Sequence, residues 1–280
     1  MAHDNQSGST LPSALDDLDG IVRRAEGKRI AVFLDYDGTL TPIVDTPTQA
    51  VMAEEVRKAV QELARHCPVG IISGRDLDDL REIVRIDNIA YAGSHGFDIA
   101  GPDDVQAGHA KGEEFLPDLD QAEEVLGRQL DRIPGLLVER KKFAIAIHYR
   151  LVDPDRVDDI TAVVDAFIAR HPTLKKTSGK KIFEVQPKMD WHKGKALLFL
   201  LQTLQLDREE VLPIYIGDDV TDEDGFKALP GRGIGIAVQE RPTATAASHV
   251  LRDPDEVRRF LLQLIPLCMN RPAITDSRGA

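Results

Sequence analysis

The stretch RIAVFLDYDGTL, Arg29–Leu40, joins a short apolar run to an acidic turn, and it decides the fold. Residues 30–34 are apolar without polar alternation, which is typical of a strand buried on both faces in a parallel sheet. The run stops at Asp35 and Asp37, so this strand carries two carboxyl groups at its carboxyl end. Because ligands of open α/β sheets bind beyond that end, the stretch predicts a parallel strand that leads into a functional site.

Strand and helix patterns alternate on either side of this stretch. The predicted strands lie at 69–72, 89–91, 212–216 and 233–238, and the predicted helices begin near residues 53, 77, 194 and 257. Alternation of this kind implies parallel strands joined by right-handed crossovers. We therefore expect an α/β fold with a doubly wound parallel-sheet core.

The order of the predicted helices and strands changes after about Asp104. The pattern there is helix, hairpin, helix, hairpin, with an amphipathic helix at 119–133, strands at 136–140 and 143–150, a helix at 157–168, and two short strands around Ser178-Gly179. Antiparallel hairpins packed with helices indicate an α+β unit inserted into the core. The expected division is a core at 21–104 and 189–270, a cap at 105–188, and flexible tails at 1–20 and 271–280.

Charge and cysteine content exclude several classes of protein. The 280 residues include 35 basic and 47 acidic side chains, a net charge of −12, so nucleic acids and anionic membranes are poor partners for the surface. Two cysteines, Cys67 and Cys268, cannot form a disulfide framework, and we expect free thiols in a reducing cytoplasm. No apolar run reaches 18 residues and the first 20 residues are polar, so neither a membrane span nor a signal peptide is expected.

Three predicted strands end in polar clusters that the fold would gather at one sheet edge. These clusters are Asp35 with Asp37, Ser73 with Arg75, and Asp218 with Asp219 and Asp222. Several carboxylates at close range repel one another unless a cation neutralises them, and hard oxygen ligands favour Mg²⁺. Any single acidic residue in such a loop is about as well explained as a turn former or a helix N-cap.

Taken in order, the clusters resemble the motifs of the haloacid dehalogenase (HAD) superfamily of phosphatases. The resemblance rests on Asp35-Tyr-Asp37-Gly-Thr39-Leu-Thr, Ile72-Ser73-Gly-Arg75, Lys193-Gly and Gly217-Asp218-Asp219-Val-Thr-Asp222-Glu-Asp224. The unit inserted between the second and third motifs is similar to that superfamily's C2-type cap. Further segments resemble the trehalose-6-phosphate phosphatase family: Gly93-Ser-His95-Gly, Glu139-Arg-Lys141, His148-Tyr-Arg150, Glu184-Val-Gln-Pro-Lys188 and Trp191-His-Lys193-Gly.

The resemblance implies roles for the residues of the core. Asp35 would be the nucleophile that forms an aspartyl-phosphate, and Asp37 the general acid and then the base. Mg²⁺ would be held by the Asp35 carboxylate, the Asp37 carbonyl and Asp218, with Asp222 or Asp219 in support. Ser73 and Lys193 would hold the phosphoryl oxygens, and Thr39 would orient Asp37.

The cap and the loops that face it are expected to bind the sugar. The resemblance places Gly74, Arg75, His95, Glu139, Lys141, Arg150, Glu184 and Lys188 in contact with substrate. Seven lysines lie between Lys175 and Lys195 against two acids, a concentration unusual for an acidic chain. Lys175 and Lys176 also suit a solvated hairpin face, His95 a hydrogen-bonded loop, and Trp191 either a sugar platform or a hinge anchor.

The resemblance, together with the acidic clusters, implies a Mg²⁺-dependent phosphatase that hydrolyses trehalose 6-phosphate in trehalose biosynthesis. Another glycosyl phosphate, such as glucosylglycerol phosphate or sucrose phosphate, is the alternative substrate. A phosphomutase and a non-catalytic sugar-phosphate sensor are further alternatives, although Asp37 argues against a sensor because binding alone needs no acid beside the nucleophile. The expected partner is a small sugar phosphate, and a separate trehalose-phosphate synthase stays open as a protein partner.

Overall fold

The computed structural model of the chain describes residues 11–102 and 113–269. In chain order the strands are β1 Arg29–Leu34, β2 Val69–Ile72, β3 Ala90–Gly93, β4 Asp98–Ala100, β5 Leu137–Lys141, β6 Ala144–His148, β7 Leu174–Gly179, β8 Ile182–Pro187, β9 Val211–Gly217, β10 Ile234–Val238 and β11 His249–Leu251. The helices are α1 Leu18–Ala25, α2 Glu54–Ala64, α3 Leu77–Val84, α4 Leu116–Leu130, α5 Val157–Ile168, α6 Lys193–Thr203, α7 Glu223–Lys227 and α8 Pro254–Met269.

Within the described ranges, seven strands form the larger sheet in the order β11-β10-β9-β1-β2-β3-β4. All neighbours are parallel except β3 and β4, which are antiparallel. The chain order runs one way from β1 to β4 and the other way from β9 to β11, so β1 and β9 meet at the switch point of a doubly wound sheet. The predicted core architecture is confirmed.

The strand β1 is buried on both faces, as its apolar composition predicts. Ile30, Val32 and Leu34 face a core that includes residues of α2 and α8. Ala31 and Phe33 face the opposite core, which is built with α6. Successive side chains of a strand point to opposite faces, so a continuous apolar run is what a sheet covered by helices on both sides requires.

The inserted unit forms a second, antiparallel sheet in the order β5-β6-β8-β7. One face packs on α4 and α5 through residues such as Ile145, Ile147 and Val185. The register pairs Glu139 with Ala146 and Ala146 with Glu184, which puts both glutamates on the other face. The α+β cap expected from the sequence is therefore present, and its limits at 105 and 188 stay a prediction.

Residues 11–20 were expected to be part of a flexible tail, and for these residues the expectation is wrong. Val250 donates its amide to the Pro12 carbonyl, Ala14 donates to the Val250 carbonyl, both at 3.0 Å, and Ala14 is fully buried. The reason is that β11 lies at the sheet edge, where unpaired backbone groups need partners. The remaining parts of the predicted tails, 1–10 and 271–280, lie outside the described residues.

Within residues 11–102 and 113–269, every helix is too short or too polar to pass through a lipid bilayer.

Two adjacent leucines of α8 allow the contribution of burial in this helix to the free energy of unfolding to be measured. Leu261 is fully buried, whereas Leu262 is 42% exposed. We expect Leu261→Ala to lower the free energy of unfolding by about 2–5 kcal/mol, because it leaves a cavity in the core. The control Leu262→Ala should change it by less than about 0.5 kcal/mol. Urea unfolding followed by circular dichroism measures both, and equal losses would contradict the packing described for α8.

Candidate active site

The nucleophile predicted from the sequence lies where β1 ends. The Asp35 amide donates to the Ile216 carbonyl of β9 at 2.9 Å, and the side chain is almost fully buried. The turn that follows needs Gly38, whose φ of +88° is left-handed. A Cβ atom at Gly38 would lie 2.2 Å from Asp218 Oδ2, so the missing side chain lets the two acidic loops approach each other.

Three carboxyl groups from the two central strand ends meet beside a buried lysine. Oxygen atoms of Asp35, Asp218 and Asp222 all lie within 4.8 Å of one another. Lys193, the first residue of α6, donates to Asp35 Oδ1 at 2.8 Å and to Asp222 Oδ1 at 2.7 Å. Asp35 and Lys193 are 158 residues apart in the sequence, and the doubly wound topology brings them into contact.

Burial opposes the charges in this cluster. It raises the pKa of Asp35 well above its usual value; the Lys193 ammonium opposes that rise, and the Asp222 charge adds to it. Burial also raises the pKa of Asp218 to about 6, although the ammonium of Lys180 works against this. Burial disfavours the Lys193 ammonium as well, but its two carboxylate partners outweigh burial and raise its pKa. The cluster therefore needs positive charge to keep its acids ionised.

Asp222 positions the other groups of the cluster. Its Oδ1 accepts from Lys193 and from the Tyr215 hydroxyl, and its Oδ2 accepts from the amides of Asp218 and Asp219 at 3.1 and 3.0 Å. Both oxygens are thus already used. Asp219 instead caps the short helical turn at Val220–Asp222 by accepting from the Val220 amide at 2.7 Å. Of the two candidates for metal support, Asp222 is the one that joins the cluster, and Asp219 takes the N-cap role.

The donor set fits a hard divalent cation. Asp218 Oδ1 is buried and has no hydrogen-bond partner among the described residues. An unsatisfied buried carboxylate oxygen is costly unless something positive binds it. Asp35 supplies a further carboxylate close by, Asp222 supports the group from its hydrogen-bonded position, and oxygen ligands suit Mg²⁺.

Asp37, the predicted general acid, is held by Arg75. The guanidinium donates to Asp37 Oδ2 at 2.8 Å and to Oδ1 at 2.9 Å, and it also binds Asp79 at 3.0 Å. Arg75 lies over the ring of Tyr36, 5.3 Å from its centre. A bidentate contact of this kind fixes the orientation of the carboxyl group. Both oxygens of Asp37 therefore accept from the same guanidinium.

The ends of β2 and β3 form the next part of the site. Ser73 is buried, and its hydroxyl accepts from the Arg75 amide at 3.2 Å. Ser94 and His95 both have left-handed backbone angles, with φ of 48° and 57°. Such angles are rare for residues other than glycine and are found where function constrains the backbone. They direct His95 towards the cap.

One of the contacts between cap and core is centred on the carboxylate of Glu184. Glu184 Oε2 lies 2.8 Å from His95 Nε2, and Glu184 Oε1 accepts from Lys141 at 2.7 Å. Lys141 also donates to the Gly74 carbonyl at 3.1 Å. Burial opposes ionisation of Glu184, but Lys141 and His95 outweigh it and hold its pKa well below the usual value. This cluster ties β5 and β8 of the cap to two loops of the core.

A cavity of about 340 Å³ lies between the loops at the edge of the larger sheet and the cap. Most of the residues predicted from the sequence line it: Asp35, Asp37, Ser73, Gly74, Arg75, His95, Glu139, Lys141, Arg150, Glu184, Lys193, Asp218 and Asp219. Glu139 pairs with His148 at 2.8 Å, and Arg150 donates to the Lys180 carbonyl at 2.9 Å. Carboxylates and cations thus alternate along the cap side of the cavity.

Two predicted contacts are not found. Lys188, expected to touch substrate, is exposed and lies outside the cavity lining. It follows the last residue of β8, where the strand has already left the cavity. Thr39, expected to orient Asp37, is fully buried, and its hydroxyl has no hydrogen-bond partner among the described residues. The carboxyl group of Asp37 turns to Arg75 instead.

The other ambiguous residues have structural surroundings. Lys175 donates to the Met189 carbonyl at 3.1 Å, and Lys176 pairs with Asp165. Trp191 packs edge-on against Phe199, with ring centres 6.3 Å apart, in the connection between β8 and α6. None of these three side chains lines the described cavity, and Trp191 packs against the core cluster that α6 helps to build. A role for Trp191 as a hinge anchor stays a prediction.

Sequence reasoning missed Lys180, Tyr215 and Asp76. Lys180 donates to Asp218, and Asp76 accepts from the Ser94 hydroxyl and from the Lys142 amide of the cap, both at 2.7 Å. Lys180 is one of the seven lysines of the basic segment and belongs to none of the motifs quoted above. Tyr215 lies in an apolar strand, and nothing in the sequence pattern indicates that its hydroxyl contacts Asp222.

Comparison with known proteins identifies the family to which the chain belongs. Residues 33–256 match the family model described as trehalose-phosphatase. Trehalose-phosphate phosphatase B of Arabidopsis thaliana is 42% identical over 266 residues, covering 91% of this chain and 71% of the relative. Probable trehalose-phosphate phosphatase 3 of Oryza sativa subsp. japonica is 43% identical over 276 residues, covering 92% and 75%.

Solved structures share the fold. The C-terminal domain of the Candida albicans trehalose-6-phosphate phosphatase has a TM-score of 0.77 at 23% identity, covering 93% of this chain and 99% of that one. The Aspergillus fumigatus trehalose-6-phosphate phosphatase, crystal form 3, has a TM-score of 0.63 at 28% identity, covering 92% and 100%. The HAD-type core with a cap that the motifs predicted is therefore confirmed. The chain belongs to the trehalose-phosphatase family of phosphoric monoester hydrolases.

Proposed function

We propose that this chain is a Mg²⁺-dependent phosphatase that hydrolyses trehalose 6-phosphate to trehalose and inorganic phosphate in trehalose biosynthesis. The observation that carries the proposal is a shared cavity. It is lined both by the buried pair of Asp35 and Lys193 and by Glu184 and Lys141 of the cap. A phosphoryl group and a polyhydroxylated sugar could thus be bound at the same time. The names of the plant relatives point to the same substrate.

Asp35 is the proposed nucleophile. One of its carboxylate oxygens attacks phosphorus, a new oxygen–phosphorus bond forms, and the bond to the sugar oxygen breaks, which leaves an aspartyl-phosphate. Lys193 lies 2.8 Å from this carboxylate and is placed to bind the phosphoryl oxygens as charge shifts between them. The Ser73 hydroxyl lines the same cavity and would donate to another phosphoryl oxygen.

Asp37 is the proposed general acid and base. It gives a proton to the departing sugar oxygen, and it later takes a proton from the water that attacks the aspartyl-phosphate and restores Asp35. Both of its oxygens accept from Arg75 in the described state. Asp37 must therefore separate from Arg75 and take up a proton before it can act as an acid.

The cation site is assigned to the cluster at the two central strand ends. Asp35 and the free oxygen of Asp218 would hold Mg²⁺, together with the carbonyl of Asp37, while Asp222 orients Asp218 through its backbone amide. When bound, Mg²⁺ supplies positive charge that offsets the carboxylates and the phosphate.

The cap is proposed to select the sugar. Glu139, Glu184 and Lys141 share one face of the cap sheet and offer acceptors and a donor to hydroxyl groups. Arg150 and His95 add further polar groups to the same cavity. Alternating donors and acceptors suit a disaccharide better than a bare phosphate, which would need cations alone.

We place the enzyme in the cytoplasm, with a separate trehalose-phosphate synthase as the source of its substrate. The support for the compartment is the cysteine content of the sequence, since two cysteines, at positions 67 and 268, cannot form the disulfide framework typical of secreted domains.

A phosphate-release panel tests the substrate. We expect trehalose 6-phosphate to be hydrolysed with a kcat/KM at least about tenfold above sucrose phosphate and glucosylglycerol phosphate, because the cap cluster discriminates through hydroxyl contacts. Chelation of Mg²⁺ should abolish the release, and adding Mg²⁺ back should restore it. Preferred hydrolysis of one of the other two sugar phosphates would reassign the substrate, and isomerisation without phosphate release would indicate a mutase.

Replacing the nucleophile tests the chemistry. Asp35→Asn should reduce kcat by about a thousandfold or more while the fold is retained, since an amide cannot form the aspartyl-phosphate. Asp78→Asn is the control, because Asp78 is an exposed acid of α3 outside the cavity lining, and it should keep wild-type kcat. Appreciable Mg²⁺-dependent turnover by Asp35→Asn would remove Asp35 from its role.

Two substrates with different leaving groups test the role of Asp37 as the general acid. Nitrophenolate departs without needing a proton, whereas a sugar alkoxide needs one. Asp37→Asn should therefore lower the rate of aspartyl-phosphate formation by about 10²–10⁴-fold with the sugar phosphate, and far less with p-nitrophenyl phosphate. Rapid-mixing measurement of the first turnover compares the two, and equal losses would show that Asp37 is not the acid.

A further inference from the structure

The cap reaches into the acidic cluster through Lys180. This residue lies in the turn between β7 and β8, and its ammonium donates to Asp218 Oδ2 at 2.5 Å and to the Asp218 carbonyl at 3.0 Å. Asp218 belongs to the group of carboxylates assigned above to the cation, and its Oδ1 is the buried oxygen without a partner. The two oxygens of one carboxylate thus face a lysine of the cap and the cation site of the core.

A lysine and a divalent cation on the same carboxylate repel each other. Mg²⁺ binds oxygen at about 2.1 Å, so a cation on Oδ1 would lie roughly 5 Å from the ammonium on Oδ2. Charges of the same sign at that distance in a partly buried site interact strongly. Binding of one therefore weakens binding of the other.

The exposure of the side chains indicates which group gives way. The Lys180 side chain is 46% exposed, whereas that of Asp218 is 4% exposed. The exposed ammonium of Lys180 is hydrated again when it leaves Asp218, whereas the buried carboxylate of Asp218 cannot replace the lysine with bulk water. Lys193, in contrast, is 4% exposed and is bound by two carboxylates, so it stays in place.

We propose that Lys180 substitutes for the cation in the metal-free enzyme and holds the cap turn against the core, and that divalent-cation binding displaces it. This inference rests on the proposed cation site. Lys180 then acts through Asp218 as a positioning residue that sets the cation affinity. By thermodynamic reciprocity, a closed cap turn lowers cation affinity by the same factor by which the cation loosens the turn.

Three variants of the full chain separate this effect from loss of any cap contact. Lys180→Met removes the charge and keeps the apolar stem, and Lys180→Arg keeps the charge. Lys142→Met is the matched control, since Lys142 also joins cap to core, through Asp98 at 2.6 Å, and is equally exposed at 46%. Calorimetric titration with Mg²⁺ alone gives the affinity of each protein without reference to turnover.

We expect Lys180→Met to bind Mg²⁺ about tenfold or more tightly than the wild type, with Lys180→Arg and Lys142→Met close to the wild type. Unchanged or weaker Mg²⁺ binding by Lys180→Met would overturn the inference, and so would an equal gain in Lys142→Met. Wild-type protein that binds no Mg²⁺ would contradict the proposed cation site itself, so the two failures are distinguishable.

Hydrogen exchange on the wild-type protein gives a second readout that does not depend on the folding of a variant. Amides at 178–181 should exchange several-fold faster when Mg²⁺ is added, because the turn loses its contact with Asp218. A sodium salt of equal ionic strength is the control for general screening. Exchange at 178–181 that Mg²⁺ leaves unchanged or slows would refute the displacement of Lys180.

Discussion

The contact of Lys193 with Asp35 and Asp222 is the interaction on which the rest of the site depends. A buried ammonium between two buried carboxylates is stable only if each charge has its partner, because removing one leaves an uncompensated charge in a poor solvent. The Lys193 ammonium opposes the rise that burial causes in the pKa of Asp35. The same side chain fixes the start of α6 against the ends of β1 and β9.

Topology makes this contact possible. In the doubly wound sheet, β1 and β9 are neighbours although some 180 residues of chain separate them, and their carboxyl ends open at the switch point. The cap is inserted into that long connection. The acidic cluster at the sheet edge and the polar face of the cap sheet therefore come from distant parts of the chain, and the crossover brings them together.

Sequence reasoning identified the core aspartates because ligands of a parallel sheet bind beyond the carboxyl ends of its strands. A buried run followed by Asp35 or Asp218 places the side chain at one edge whatever the details of packing. It failed where the outcome depends on which side chains meet across elements. The pairing of Asp37 with Arg75, the reach of Lys180 to Asp218 and the exposure of Lys188 follow from loop geometry that periodicity does not encode. The short strands β4 and β11 span three residues each, too few for a periodic signal.

The position of Trp191 has a practical consequence. It is the only tryptophan in the chain, and it lies against Phe199 in the passage from the last cap strand to the first helix of the returning core. The emission of this indole depends on how the connection is packed, so the chain carries its own spectroscopic label where the cap sheet leads back into the core. Near-ultraviolet fluorescence can therefore report in solution, without an attached dye, whether this connection changes when a ligand is added.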